Sequence, residues 1–380
     1  MGMICSFSVA RGEQSPLLDQ TQIKGLLVFE LNDGSLASEA SQMNATVVKS
    51  VKDGAFELGF NQQVGEMMQG ATEEVHKFIK VRHGDRLPVN HKIELAFSNK
   101  YSLKDGPSAA VVCALLAESI ITGDEIDPGF AATGDMTATG EVLAVGGVKD
   151  KLRGARKKGC SLVGIPVSNA ASVDDLYILK GIEPLYGIQI FSLTAFEDAR
   201  QLAMVERSEE EQAALDEFVK VQEVLKKNEK YVSNAKVREK LKATLKTFPN
   251  HLSAKLLLLH GAKKGPTQLS LSGSLDGVGQ AAAQLDLMLE NDSYLTKGGN
   301  NDELGKLVFE LQDLRTKIDK RTIPYADAYR NLAQFIREVR SRKTWNNQLQ
   351  REFEAVIAQI KIQRDKLLGD AKIQEELNNS

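Results

Sequence analysis

Cysteine is scarce in this chain of 380 residues, which has only Cys5, Cys113 and Cys160. An odd, low count in a long sequence argues against a disulfide framework and for a reducing compartment, with the thiols buried or inert. An excess of charge of either sign is missing too: 48 Lys and Arg against 51 Asp and Glu leave a formal net charge of −3. A field that weak gives no reason to expect nucleic acid or an anionic membrane as a partner. Long apolar runs are absent. The longest, Ala109–Ala117, falls well short of the roughly 18 residues a membrane helix needs, so no segment is expected to span a bilayer. Met1–Ala10 has neither the basic start nor the apolar length of a secretory signal, which favours the cytoplasm. Met1-Gly2-Met3-Ile4-Cys5-Ser6 does fit the loose myristoylation pattern, but so short a pattern matches often by chance.

What is present is an ordinary globular composition, 42% hydrophobic and 26% charged, which excludes disordered and fibrous classes. The length suggests two or three domains. After an N-terminal extension over residues 1–20, Ile23–Leu31 and Ala45–Val51 read as strands with turn signals at Asp33-Gly34 and Asp53-Gly54, the pattern of a β-meander. Val64–Val81 changes to helical spacing, and Lys92–Phe97 reads as a strand. A polar loop, Ser98–Pro107, leads into Ala109–Ile121, apolar all round and therefore a buried helix, stopped by Gly123. Strands then interleave with helices: Phe130–Thr133, Glu141–Val145, the helix Lys149–Lys158, Ser161–Pro166, the helix Ser168–Leu179, Ile188–Phe191 and the helix Ala195–Val205. This predicts an α+β domain over residues 21–205. From Ser208-Glu209-Glu210-Glu211 onward strand signals vanish. Residues 206–380 are expected to form an all-α helical domain, broken at Pro249, Gly265-Pro266 and Gly298-Gly299-Asn300, with helices at Asp302–Lys320, Tyr325–Arg342 and Gln348–Leu368.

Histidine offers little chemistry. His76, His83, His91, His251 and His260 stand in no zinc or hydrolase motif and read as surface or structural residues. The junction Lys104-Asp105-Gly106-Pro107-Ser108-Ala109-Ala110 offers more. It places one hydroxyl at the start of a buried helix, where free N–H groups and the positive end of the dipole would meet a developing oxyanion. Taken alone, Ser108 reads as an N-cap before it reads as a nucleophile. A serine nucleophile also needs a base. A lysine can serve if burial lowers its pKa, and Gly146-Gly147-Val148-Lys149-Asp150-Lys151 puts two lysines in the first turn of a helix, where the dipole also favours the neutral amine.

Three ordered segments together resemble the proteolytic domain of the Lon proteases, serine peptidases that use a Ser–Lys dyad. Lys104-Asp105-Gly106-Pro107-Ser108-Ala109 is similar to the nucleophile signature. Thr133-Gly134-Asp135-Met136-Thr137 with Gly140-Glu141-Val142-Leu143 is similar to the middle motif, and Val145-Gly146-Gly147-Val148-Lys149-Asp150-Lys151-Leu152 to the lysine motif. The likeness covers residues 20–205. It implies the Lon-type fold, which is like domain 2 of ribosomal protein S5. It also implies Ser108 as nucleophile, Lys151 rather than Lys149 as base, Thr133 as the partner of the dyad lysine, and Asp105, Gly106 and Pro107 as supporting residues, Asp105 shaping or gating the loop. Two positions depart from the pattern: Lys92-Ile93-Glu94-Leu95-Ala96 lacks a histidine found upstream in the bacterial enzymes, and Ala110 replaces a glycine.

The implied activity is serine endopeptidase action through an acyl-enzyme, with no cofactor and no metal. No Gly-x-x-x-x-Gly-Lys-Ser/Thr phosphate loop occurs in the sequence, so the expectation is ATP-independent cleavage of unfolded or flexible proteins. Expected partners are protein or peptide substrates, with a separate unfoldase and further copies of the chain as candidates. A non-catalytic Lon-like scaffold or binding module is the alternative. A small-molecule kinase is a weaker one, because Gly106-Pro107-Ser108-Ala109-Ala110 is poor in glycine for a phosphate loop.

Overall fold

The computed structural model describes residues 17–30, 36–98, 105–290, 301–341 and 346–378. Several expected features lie outside these: the N-terminal extension as far as residue 16 with Cys5, Asp33-Gly34, the loop residues 99–104 with Lys104, and Gly298-Gly299-Asn300. In chain order the first elements are β1 (Gln20–Glu30), β2 (Leu36–Lys49), β3 (Phe56–Phe60), α1 (Glu66–His83), β4 (His91–Phe97), α2 (Ala110–Thr122), β5 (Phe130–Ala132), β6 (Asp135–Met136) and β7 (Val142–Leu143). There follow α3 (Val148–Lys157), β8 (Leu162–Pro166), α4 (Ala171–Lys180), α5 (Glu183–Gly187), β9 (Gln189–Leu193) and α6 (Phe196–Ala203). The rest is helical: α7 (Glu209–Lys227), α8 (Ala235–Thr247), α9 (Leu252–Gly261), α10 (Leu271–Glu290), α11 (Asn301–Leu314), α12 (Ile323–Ser341), α13 (Asn347–Leu368) and α14 (Ala371–Asn378).

The chain divides into two compact units, residues 1–167 with 190–213 and residues 168–189 with 214–380. This differs from the single boundary expected at 205/206, because α4 and α5 belong with the second unit. The reason is chemical. Asp175, 1% exposed, accepts the Ser270 N–H at 2.8 Å and the Ser270 hydroxyl at 2.7 Å at the start of α10. Tyr177 Oη lies 3.0 Å from His260 Nδ1 on α9. A buried carboxylate on α4 therefore takes its partners from α10, and could not be left without them cheaply.

The first unit is built on a mixed seven-stranded sheet in the order β3-β4-β2-β1-β5-β8-β9. β1 and β2 form a long antiparallel hairpin, Gln20 opposite Thr46 and Glu30 opposite Leu36. The expected meander is corrected at the next strand: β4 inserts between β2 and β3, antiparallel to one and parallel to the other. The eighteen residues of α1 supply the crossover that a parallel β3–β4 pair requires. β5 runs parallel to both β1 and β8. The buried helix is as expected, with every side chain from Ala110 to Ile120 at most 1% exposed and Gly123 closing it in the left-handed conformation.

One of those side chains is charged. Glu118 receives Arg82 Nε at 2.8 Å, Arg200 Nε at 2.9 Å and His83 Nε2 at 2.8 Å, joining α1, α2 and α6. Burial would raise its pKa, but the His83 and Arg82 hydrogen bonds outweigh that and bring it down to about 2.

The second unit is a helical assembly. Leu304, Leu307, Leu311 and Leu314 recur at three- and four-residue spacing along α11 and pack with Val278, Ala282 and Leu285 of α10 and Leu332, Ala333 and Ile336 of α12. Each buried leucine contributes about 2 kcal/mol of transfer free energy.

Candidate active site

Three segments meet in the first unit: the turn before α2, the C-terminal end of β5 and the first turn of α3. β5 is followed by Thr133, fully buried, whose N–H continues the parallel pairing by donating to Gly164 O of β8 at 3.1 Å. The next residue reaches across to the turn before α2. Gly134 N–H donates to Ser108 O at 2.9 Å and Gly134 O accepts the Val111 N–H at 3.2 Å. A side chain at 134 is excluded, since a Cβ there would stand 2.9 Å from both Val111 Cγ2 and Val142 Cγ1.

Ser108 is half-buried and lies two residues before α2 begins. The N-cap position is Ala109 and has no side-chain cap, so the Ser108 hydroxyl does not do the capping that would explain a serine there. Ala110 N–H is taken by Pro107 O and Val111 N–H by Gly134 O, whereas the N–H groups of Ser108 and Ala109 have no acceptor among the described residues. Two donors thus flank the hydroxyl at the positive end of a buried helix.

α3 starts from Gly147, at φ 70° and ψ 26°, a left-handed conformation that glycine adopts without cost. Val148, Lys151, Leu152 and Ala155 recur at helical spacing and are all buried. Lys151 therefore occupies a core position of an amphipathic helix, 3% exposed. Its Nζ donates to Thr133 Oγ1 at 3.0 Å, and Thr133 Oγ1 donates its own proton to Ser108 O at 3.1 Å. A hydroxyl has one proton and two lone pairs. With the proton committed to Ser108 O, a lone pair is left for the amine. Burial with no counter-charge lowers the Lys151 pKa from 10.5 to about 8. The hydrogen bond that Lys151 makes goes to Thr133, and Ser108 Oγ has no hydrogen bond among the described residues. The serine and lysine are linked through Thr133.

Lys149, two residues earlier, is only half-buried. Asp105 is exposed, and its Oδ1 accepts N–H groups from Met67, Met68 and Gly106. Gly106 has φ 96°, and Pro107 follows it into the Ser108 turn. The middle motif folds as the β6–β7 hairpin, Asp135 opposite Leu143, tied to α1 where Glu74 Oε2 accepts the Ala138 N–H at 3.0 Å. Among the described residues, no group of histidine, cysteine and carboxylates is arranged to hold a metal.

Sequence reasoning missed the Asp105–α1 contact, for which Gly65 was the available sign. It also missed Glu118, a lone charge inside an otherwise apolar helix. His83 and His251, allowed as surface residues, are 5% and 0% exposed.

Residues 37–186 match the family model of the Lon protease (S16) C-terminal proteolytic domain. The mitochondrial Lon protease homolog of Eremothecium gossypii is 31% identical over 141 residues, 35% of this chain and 13% of that protein. The Lon protease of Clostridium beijerinckii is 30% identical over 129 residues, 32% of this chain and 16% of that protein. The mitochondrial Lon protease homolog of Phaeodactylum tricornutum is 31% identical over 172 residues, 43% of this chain and 20% of that protein. The chain thus spans at most a fifth of the length of each of these relatives.

Proposed function

We propose that the Lon-type proteolytic domain of residues 37–186 makes this chain a serine endopeptidase, with Ser108 as nucleophile and Lys151 as general base. The observation that carries the reading is a lysine buried at 3% exposure, its amine held by Thr133, which in turn holds the Ser108 carbonyl. Burying an ammonium is costly. A scaffold has no use for that cost, whereas a base with a pKa of about 8 is matched to work near neutral pH.

In this mechanism Ser108 Oγ attacks the scissile carbonyl as Lys151 Nζ takes its proton. The N–H groups of Ser108 and Ala109 hold the oxyanion. Collapse breaks the C–N bond, and Lys151 returns the proton to the leaving amine. Water, deprotonated by Lys151, then attacks the ester and releases the acid and free Ser108. The first step requires Ser108 Oγ to meet Lys151 Nζ. Catalytic hydrogen bonds that are open at rest commonly close when substrate binds.

The same reading assigns Thr133, Gly106 and Pro107 to positioning, and extends the fold likeness to domain 2 of ribosomal protein S5. It takes unfolded or flexible proteins as substrates, with ATP-independent cleavage proposed for these residues alone. A separate unfoldase or further copies of the chain are the partners it allows, in the cytoplasm. Cleavage of casein and of a fluorogenic peptide by the wild type and by Ser108→Ala, Lys151→Ala and Lys149→Ala tests it. The first two substitutions are expected to abolish cleavage and the third to leave it. Equal cleavage by Ser108→Ala and wild type, or loss on changing Lys149 alone, refutes the assignment.

A further inference from the structure

The net charge of −3 is not spread evenly along the chain. Residues 226–264, from the last turn of α7 to the end of α9 in the second unit, carry eleven Lys and Arg against two Asp and Glu, a local charge of +9. Six of the lysines come together from two separate stretches. Lys226 and Lys227 end α7, Lys230 lies in the short 3-10 turn Glu229–Ser233, and Lys236 lies in the first turn of α8. Lys263 and Lys264 follow α9, which ends against that same 3-10 turn: a Cβ on Gly261 would stand 2.6 Å from Val232 O and 3.7 Å from Ser233 Cα. All six are exposed. None of them has an ion pair among the described residues, whereas nearby Lys220, Lys240 and Lys242 are taken up by Glu217 and Glu239. The one carboxylate in their midst, Glu229, accepts the Tyr186 hydroxyl at 2.9 Å. Tyr231 in the same turn leaves its ring 47% exposed.

Helix stability explains part of this. Lysines after α7 and α9 suit the negative end of a helix dipole. Two of the six are placed against local preference. Lys236 stands at the positive end of α8, where an acid is favoured. Lys263 has φ 58°, the left-handed region in which a helix end normally takes glycine and a Cβ is strained. The other described non-glycine residue with positive φ is Asn90, a type that tolerates it. Lysine is thus kept at 236 against the dipole and at 263 against the backbone, which points to a use for the charge itself. We propose that this cluster is a recruitment surface for acidic, flexible segments of protein substrates. Charge complementarity selects the acid, and Tyr231 offers an apolar face beside it. A nucleic acid fits less well: phosphate recognition gains most from arginine forks and stacked bases need several aromatic rings, and these residues hold one arginine and one exposed aromatic ring. The proposal rests on the peptidase reading above for the fate of the bound segment, while the binding itself stands apart from it.

The test is fluorescence anisotropy on the full chain, carrying Ser108→Ala so that the probe is not cut. The probe is a labelled flexible peptide of Asp-Glu pairs separated by single Leu or Phe residues, set against the same peptide with Asn and Gln for the acids. The acidic peptide is expected to bind about tenfold or more tighter than the amide form, and to lose about tenfold between about 50 mM and about 200 mM salt. Lys230→Glu, Lys236→Glu and Lys263→Glu together should weaken it by about tenfold or more, whereas Lys361→Glu with Lys366→Glu on α13 should change it by less than about twofold. Lys263→Gly removes a charge and the strain together, so it should weaken binding about threefold and raise Tm. With Ser108 intact, the triple reversal should raise KM for an acid-tagged unfolded protein about fivefold and leave hydrolysis of a short uncharged peptide unchanged. Equal binding of the acidic and amide peptides, or unchanged affinity in the triple variant, overturns the surface. So does tighter binding of a single-stranded oligonucleotide or of phosphatidylserine vesicles, which makes phosphate its ligand. A dimer in sedimentation that the triple variant abolishes gives the surface to a second copy and overturns it too. If the wild type hydrolyses nothing, the peptidase reading fails by itself and the anisotropy arm alone decides the surface.

Discussion

Replacing Lys151 by methionine should make the protein inactive and more stable at neutral pH. The wild-type amine has its pKa lowered from 10.5 to about 8 by burial alone. The folded state therefore binds the proton less well than the unfolded chain, and below pH 8 the full penalty of the buried charge applies. A shift of this size corresponds to about 3 kcal/mol at pH 6.5. The penalty shrinks as pH rises from about 8 toward 10.5, and by pH 10 it is less than about 1 kcal/mol. Methionine fills similar space without charge. It leaves one lone pair of Thr133 Oγ1 unpaired, at about 1 kcal/mol, while the Thr133 bond to Ser108 O persists. The net gain at pH 6.5 is about 2 kcal/mol, or about 5 °C in Tm for a unit of this size. Thermal melts of wild type and Lys151→Met at pH 6.5 and pH 10 check it, with peptide hydrolysis run in parallel. A variant that melts below wild type at pH 6.5, or whose advantage is the same at both pH values, refutes the reasoning that Lys151 is held at a cost.

The same titration sets activity: kcat/KM should climb about tenfold per pH unit from pH 6 and level off above about 8, and a flat profile over that range removes Lys151 as base. Thr133→Val keeps the shape of its site but loses both bonds, so kcat should fall up to about a hundredfold, measured beside an unchanged circular dichroism spectrum. Glu118→Gln leaves Arg82, Arg200 and His83 facing a neutral amide. With both arginines partly solvated, the expected loss is about 2 kcal/mol by urea unfolding at pH 7. Because the Glu118 pKa is held near 2, its contribution is complete above the ordinary carboxylate range and fades as pH falls from about 4.5 toward 2. A wild-type to Glu118→Gln difference that persists at pH 2 contradicts that account.

The local signals that proved readable are those carried by neighbours in sequence. Gly123 stops α2 where a left-handed residue is needed, Gly147 opens α3, and the apolar spacing of α1 and of α11 to α13 marks those helices. The buried run Ala109–Ala117 could only be an interior helix. Thr133 and Lys151 were legible only as members of ordered motifs, because nothing in the composition of α3 says that its lysine at 151 is almost wholly buried while Lys149 is half-buried. Pairings between distant segments were illegible. β4 inserts beside β2 because α1 carries the chain over the sheet, a fact no turn signal encodes. Asp105 reaches the first turn of α1 across thirty-seven intervening residues, and the Asp175 bonds to Ser270 that draw α4 into the second unit cross a still longer stretch. Such contacts are set by tertiary packing, which local preference cannot report.

The division of the chain bears on the order in which it can become native during synthesis. Neither unit is continuous: the first is interrupted by residues 168–189, and the second is interrupted by residues 190–213. When the ribosome has delivered residue 189, the nucleophile, Thr133 and Lys151 have all been made, but β9 and α6 have not. The α4–α5 hairpin waits longer, since Ser270 and His260, the partners of Asp175 and Tyr177, come still later. The first unit closes only once the chain has passed α6. A buried lysine without its finished shell is an ordinary solvated cation, so Lys151 would acquire its lowered pKa only after residue 213 has been delivered, while the second unit is still incomplete.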